Sequence, residues 1–303
     1  MLMKWTLHIL DELDDMLPIE DLQRLVWPGC ETDVVPAHLL RAAVQHGGLL
    51  ISAYPEPGET RSQATPQQLE PVGFVFGFPG FYLTPDGPRL MHCSHQLGIH
   101  PQYRNRGMGF ALKRAQWQMV RRQGIDLISW TYDPLLSTNA HLNIARLGAV
   151  CSTYLPNFYG SMRDDLNVGL PSDRFQVDWW VNSRRVNRRL SKRARSPLQL
   201  DQLLTAQITI VNPAVIDEQN IPRPAKVFHL PSDQADDLLM VEIPADFTTV
   251  KQADPQLALD WRQQTRIGFE ALFAKGYLVT DFVHDRRIPE RSYYVLSHGE
   301  STF

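Results

Sequence analysis

Two periods of apolar and polar positions run along this 303-residue chain, one matching strands and one matching helices. Residues 5–10 predict a strand, and the stretch up to Trp27 predicts a helix broken at Pro18. Residues 36–46 start with a proline and are followed by Gly47, a matched start and stop for a second helix. Strands are predicted at 48–54 and 72–81, joined by a Pro-, Glu- and Gln-rich loop over 55–70. A further strand covers 89–99. The next helix covers 107–123, with Leu112, Ala115, Met119 and Val120 as its apolar stripe and Gly124 as its stop. A strand at 127–132, a helix at 137–147 closed by Gly148, and strands at 150–155 and 175–182 complete this part. The order predicts an α/β fold built on a mixed sheet.

The composition then changes. Between 184 and 195, seven of twelve residues are Arg or Lys. We read 1–183 as one domain, 184–200 as a basic connector, and 201–303 as a smaller α+β region that packs on the first domain or extends it. In the last region strands are predicted at 225–230 and 238–243. A helix follows, with Asp254 as N-cap, Pro255 at its first position and Gly276 beyond its end. Residues 277–284 and 291–296 predict a hairpin.

Bulk properties narrow the function classes. With 43% hydrophobic and 21% charged residues the chain is ordinary for a folded protein, and its net charge of −3 offers no global attraction to nucleic acid or an anionic membrane. The basic run is read as a solvated helix face or connector in preference to a nucleic-acid contact. Cys30, Cys93 and Cys151 show no CxxC spacing and read as thiols of a reducing compartment. No His, Cys and carboxylate spacing suggests a metal. The N-terminal stretch lacks the features of a signal peptide and no segment is apolar enough to span a bilayer, so a cytoplasmic protein is expected.

The chemistry concentrates at His95-Gln-Leu-Gly-Ile-His-Pro-Gln-Tyr-Arg-Asn-Arg-Gly-Met-Gly109. A strand enters a turn rich in Gly and Arg, and a helix begins there. The first amides of a helix have no internal partners and the dipole is positive at that end, which makes the turn a phosphate cradle. It lacks the lysine of a P-loop, and Leu112 stands where a dinucleotide-binding turn has its third glycine. Arg104, Gly107 and Gly109 instead fit the pattern Q/R-x-x-G-x-G/A.

With that pattern, residues 1–183 resemble the GNAT superfamily of CoA-dependent acyltransferases, specifically a larger bacterial subgroup with an appended C-terminal part. The supporting matches are Leu97-Gly98-Ile99-His100-Pro101 before the loop, the strand at 127–132, Asn139 early in the next helix, and Leu147-Gly148-Ala149 at its end. The segments Tyr154–Gly160 and Asp178-Trp-Trp-Val also look like that subgroup. The resemblance implies a mostly antiparallel mixed sheet with splayed central parallel strands flanked by helices. It implies acetyl-CoA or another short acyl-CoA, such as succinyl-CoA, as cosubstrate. The pyrophosphate would lie on the amides of Arg104, Asn105, Arg106, Gly107, Met108 and Gly109. The pantetheine arm would follow Leu97, Gly98 and Ile99, with an oxyanion donor near Ile99, and Asn139 would bond the pantetheine or amine region.

In such a reaction an amine attacks the thioester, so a base must take its proton and an acid must serve the departing thiolate. His95 is the first candidate base, placed by alternation on one face with Cys93 and Leu97; a core histidine is the alternative. Asp133 is the second, against a plain turn residue before Pro134. Many GNAT enzymes place a tyrosine acid at the position that Ile144 occupies here. The proton would then come from Tyr159, or less directly Tyr132, or the thiolate would leave unassisted. The expected activity is N-acylation of a primary amine on a small molecule. The alternative is a catalytically silent CoA-binding or regulatory module. A homodimer is compatible with either.

Overall fold

In the computed structural model, which describes residues 4–29, 31–56, 69–160, 169–191, 197–230 and 237–298, the chain divides into two compact units, one running to Trp130 and one starting at Thr131. The first unit contains β1 (Trp5–Ile9), α1 (Leu13–Val26), α2 (Ala37–Gln45), β2 (Leu49–Pro55), β3 (Gly73–Thr84), β4 (Gly87–Ile99), α3 (Met108–Arg122) and most of β5 (Leu127–Tyr132). Its strands lie in the order β1-β2-β3-β4-β5. Neighbours are antiparallel from β1 to β4, while β4 and β5 run parallel. Most of the predicted 55–70 loop lies outside the described residues.

Each face of this sheet is covered by helices whose apolar spacing suits it. Met16, Ile19 and Leu22 of α1 and Leu40 of α2 pack with Leu50, Phe74 and Phe76. The helix α1 continues through Pro18 where a break was expected. Pro18 and Asp14, whose carbonyl loses its N–H partner, are both exposed, so water serves that carbonyl. The buried stripe of α3 is Met108, Leu112, Lys113, Gln116, Trp117 and Val120, turned from the expected one; Ala115 and Met119 are half-buried.

The second unit holds α4 (Ser137–Ala140), which runs on into a π-helical turn at His141–Arg146, then β6 (Val150–Leu155), β7 (Arg174–Trp180), α5 (Arg184–Leu190) and α6 (Leu200–Thr205). There follow β8 (Thr209–Ile210), β9 (Val215–Ile216), β10 (Pro222–Arg223), β11 (Leu238–Ile243), α7 (Phe247–Ala253), α8 (Pro255–Ala274), β12 (Tyr277–Asp285) and β13 (Arg291–His298). Its sheet has the order β7-β6-β12-β13-β11-β8, with β9 and β10 forming a separate pair. The boundary drawn at 183/184 from composition falls inside this unit, because β12 pairs with β6 and joins the last region to one sheet with 150–180. Neither is the basic run a bare solvated face. Arg185 donates to the carbonyls of Gly148 and Thr280, and Arg189 to Ala145 O at 2.9 Å and Asp281 at 2.5 Å. Residues 192–195 of the run lie outside the described residues.

Two predicted elements are corrected. Residues 225–230 form no strand, and Ala225 and Phe228 meet α8 instead. Trp261 Nε1 donates to Pro222 O at 2.8 Å, Gln264 donates to Ala225 O at 2.8 Å, and the Phe228 ring sits where a side chain on Gly268 would be. The 137–147 helix widens after Ala140: Leu147 N–H bonds to Leu142 O, five residues back. The Asp254 N-cap of α8 forms as expected, accepting from Gln256 and Leu257 N–H.

Charges are buried in pairs in this unit. Arg262, 2% exposed, meets both oxygens of Asp133 at 2.7 and 2.5 Å, and Asp133 also accepts from Leu135 N–H. Asp173 accepts from Tyr154 Oη at 2.7 Å and from Arg266 at 2.6 Å. Removing one partner of a buried pair leaves an uncompensated charge, so Arg262→Ala is expected to cost about 3–5 kcal/mol in chemical denaturation. Burial pushes the Asp133 pKa up, yet the Arg262 guanidinium outweighs that and holds it below its ordinary 3.8. A depressed carboxylate pKa adds stability above the unfolded value and loses it as pH falls through the folded one. The gap between wild type and an Arg262→Met variant should therefore narrow on acidification below about pH 4.

Candidate functional site

The turn from β4 to α3 owes its shape to residues at positive φ. Asn105 adopts φ 60° and Gly107 φ 84°, a region open to glycine and tolerated by asparagine. Gly107 caps α3, and the first helical hydrogen bond runs from Ala111 N–H to Gly107 O at 3.1 Å. The amides of Met108 and Gly109 come before that bond and point out of the helix start. A side chain on Gly107 would meet no atom within 4 Å, so the space above the turn is open. Left-handed residues at 105 and 107 beside a helix start are a geometry that can receive an anion.

The arginines divide their work. Arg104 donates through Nε to Ile99 O at 3.2 Å and through its second terminal nitrogen to Val26 O at 3.3 Å, so it ties the turn to the strand and to the end of α1. The guanidinium of Arg106 stands 5.9 Å from the centre of the Tyr103 ring and its residue is exposed at the turn. His100 Nδ1 accepts from Gln102 N–H, shaping the approach.

β4 brings a bulge to the site. Gly77 pairs with Ser94 and Phe76 with Gln96, which leaves His95 as an extra residue. Cys93, opposite Phe78, and His95, beside Phe76 and Phe78, lie on the α1–α2 face. Beyond the bulge Leu97 pairs with Val75 and Ile99 with Gly73, where Ile99, Met108 and Leu112 converge on the α3 side. The expected common face of His95 with Cys93 holds; the one with Leu97 does not, because the added residue inverts the alternation. Gly98 is required by packing: a Cβ there would stand 2.5 Å from the Phe74 ring. The exposed His95 leans on Phe76 and Phe78, and the loss of water against them lowers its pKa and favours a neutral imidazole.

β4 and β5 share two register pairs, His92 with Ile128 and Cys93 with Ser129, and there the ladder ends. Above this point α3 buries a polar group that the sequence reading missed. Lys113 donates to Ser94 Oγ and Gln116 Oε1, both at 2.9 Å, and its Nζ lies 3.6 Å from the centre of the Trp130 ring. Gln116 in turn meets His92 Nε2 at 3.2 Å. The signal for Lys113 was its place on the α3 stripe, one residue after Leu112 and three before Gln116.

In the second unit, Tyr159 is half-exposed, with its hydroxyl 2.9 Å from Thr131 Oγ1 and the Arg174 guanidinium 5.3 Å from its ring centre. Tyr132 is buried against Tyr294, with hydroxyls 3.1 Å apart, and burial drives its pKa well up. Asp133 is consumed by Arg262. Asn139 is half-buried in α4, and Ile144, in the π-turn, is fully buried. Among the described residues no group of three or more His, Cys, Asp or Glu is placed to hold a metal, and no helix is long and apolar enough to cross a membrane.

No family model matches the chain, and no curated protein matches it. Solved structures do. A GNAT-family protein from Desulfovibrio desulfuricans has 15% identity and a TM-score of 0.42, covering 59% of this chain and 99% of its own. An aminoglycoside 6'-acetyltransferase type Ii has 20% identity and a TM-score of 0.41, with 59% and 99% covered. Arabidopsis thaliana NAA60, in complex with acetyl-CoA, has 16% identity and a TM-score of 0.45, with 58% and 99% covered. Each of these matches covers about three fifths of this chain.

Proposed function

We propose that this chain is a GNAT-superfamily N-acyltransferase that moves a short acyl group, acetyl or succinyl, from CoA to a primary amine of a small molecule in the cytoplasm. The observation that carries the reading is the anion receptor at 105–109, joined to a strand whose parallel ladder stops two pairs in. A pyrophosphate is the anion such a receptor suits, and the β5-side edge of β4 over Leu97, Gly98 and Ile99, past the last β4–β5 pair, offers backbone groups to a pantetheine arm. Arg104 holds the turn in shape, while Arg106 supplies charge beside it.

The acceptor chemistry follows from the remaining groups. His95, kept neutral by its aromatic neighbours, is the group in this reading that receives the amine's proton. Tyr159 is the phenol that returns one to the departing thiolate, and Asn139 orients the pantetheine or the amine. Asp133 serves as an anchor, since both of its oxygens are held by Arg262. The burial of Ile144, where the family's usual acid would stand, favours a second reading, a CoA-binding module without turnover.

Calorimetry with acetyl-CoA tests the cosubstrate. Wild type is expected to bind. Gly107→Glu, which places a carboxylate over the receptor at a strained φ, is expected to abolish binding. No affinity in wild type would defeat both readings. Thiol release across a panel of amino acids, polyamines and aminoglycosides separates the two: turnover with any amine selects the enzyme, and silence across the panel with CoA still bound selects the module. Where turnover is seen, His95→Ala should lower kcat about 100-fold. The wild-type rate should rise with pH through a value below the ordinary imidazole pKa and then level, and the variant should lack that rise. Unchanged turnover in His95→Ala would remove the base assignment.

A further inference from the structure

Lys113 is 2% exposed, and its amine meets Ser94, Gln116 and the Trp130 ring. These contacts have a pattern. Ser94 is on β4, one residue after Cys93; Trp130 is on β5, one residue after Ser129; and Cys93–Ser129 is the last pair of the parallel ladder. Gln116 holds the same Ser94 hydroxyl, accepting from it at 3.0 Å, and passes a hydrogen bond on to His92. One amine therefore touches both strands one residue beyond the point where their backbones stop bonding. Lys113 lies one turn along α3 from Gly109, so the same helix carries the anion receptor and this contact.

We infer that Lys113 is a positioning residue that pins β4 to β5 at their divergence and thereby fixes the backbone of 97–99 and the start of α3 for a CoA ligand. The second half of this inference rests on the cosubstrate reading; the first half does not. A lysine suits the task because its long stem lets one amine reach two strands, with N–H donors for Ser94 Oγ and Gln116 Oε1.

The pin is sensitive to protons. Burial pushes the Lys113 pKa well down, so the pinned state holds fewer protons than a state in which the amine is hydrated. Rising pH then favours the pin, and falling pH through the lowered value releases it. The facing groups do not obscure this. On β4, His92 is held near a pKa of about 3 by burial and by Lys113, and burial raises the Cys93 thiol above 9.0. Ser94 on β4, Trp130 on β5 and Gln116 on α3 do not titrate.

Two measurements on the full chain test the inference, with Lys113→Met as a variant of similar length that avoids burying an unpaired charge. In amide hydrogen exchange, residues 94–99 should exchange about tenfold faster in Lys113→Met, with the β1–β2 ladder unchanged. By calorimetry CoA should bind it about tenfold more weakly, and the ratio of wild-type to variant affinity should grow as pH rises. Dividing one by the other cancels the ligand's own titration, and a merely space-filling lysine would leave that ratio flat. Exchange and affinity equal to wild type at every pH would overturn the pin. Faster exchange in a protein whose wild type binds no CoA would uphold the pin and defeat the cosubstrate reading.

Discussion

Parallel strands bond only while their backbones stay about 4.8 Å apart, and β4 and β5 keep that spacing for two residue pairs. What happens beyond Cys93 and Ser129 governs the first unit. Backbone groups that a longer ladder would have consumed become available for a ligand, and the strands need some other device to hold their separation. The bulge at His95 lies just past the last pair, and the turn leading into α3 lies at the end of the same strand. The end of the ladder, the bulge, the turn and the helix start follow one another along residues 93–109.

The second unit solves a different problem. It sets buried carboxylates against guanidinium groups: Asp133 against the buried Arg262, and Asp173 and Glu242 against the partly exposed Arg266 and Arg291. Each carboxylate also accepts from another donor, Leu135 N–H, Tyr154 Oη and Ala214 N–H respectively. Such sets are costly to desolvate but fix geometry tightly. The first two tie α8 to the segments that follow β5 and β6, and the third ties β13 to β11, so the last hundred residues are braced to the rest of the unit.

The contrast between the sequence reading and the structure follows from what periodicity can register. The receptor turn was legible because Gly107 is demanded by backbone conformation, and that demand is local. The α8 helix was legible for the same reason: Asp254, Pro255 and Gly276 mark its ends within a few residues. The segment at 225–230 misled because its β-like composition reflects docking on α8, a partner forty residues away. Asp133 read as a candidate base because its partner, Arg262, is 129 residues distant. Lys113 was not singled out from the sequence. Its burial depends on Ser94 and Trp130, which belong to two other strands.

The bulge at His95 adds a point about counting. Alternation along a strand is a phase, and one extra residue shifts that phase by half a cycle. Cys93 and Leu97 are an even number of residues apart, yet they occupy opposite sides of the sheet. Exchanging the side chain at 95 alters chemistry only; removing the residue would send Leu97 and Ile99 to the wrong face and turn Gly98 away from Phe74. Position 95 thus sets the reading frame of the strand, whatever its imidazole does.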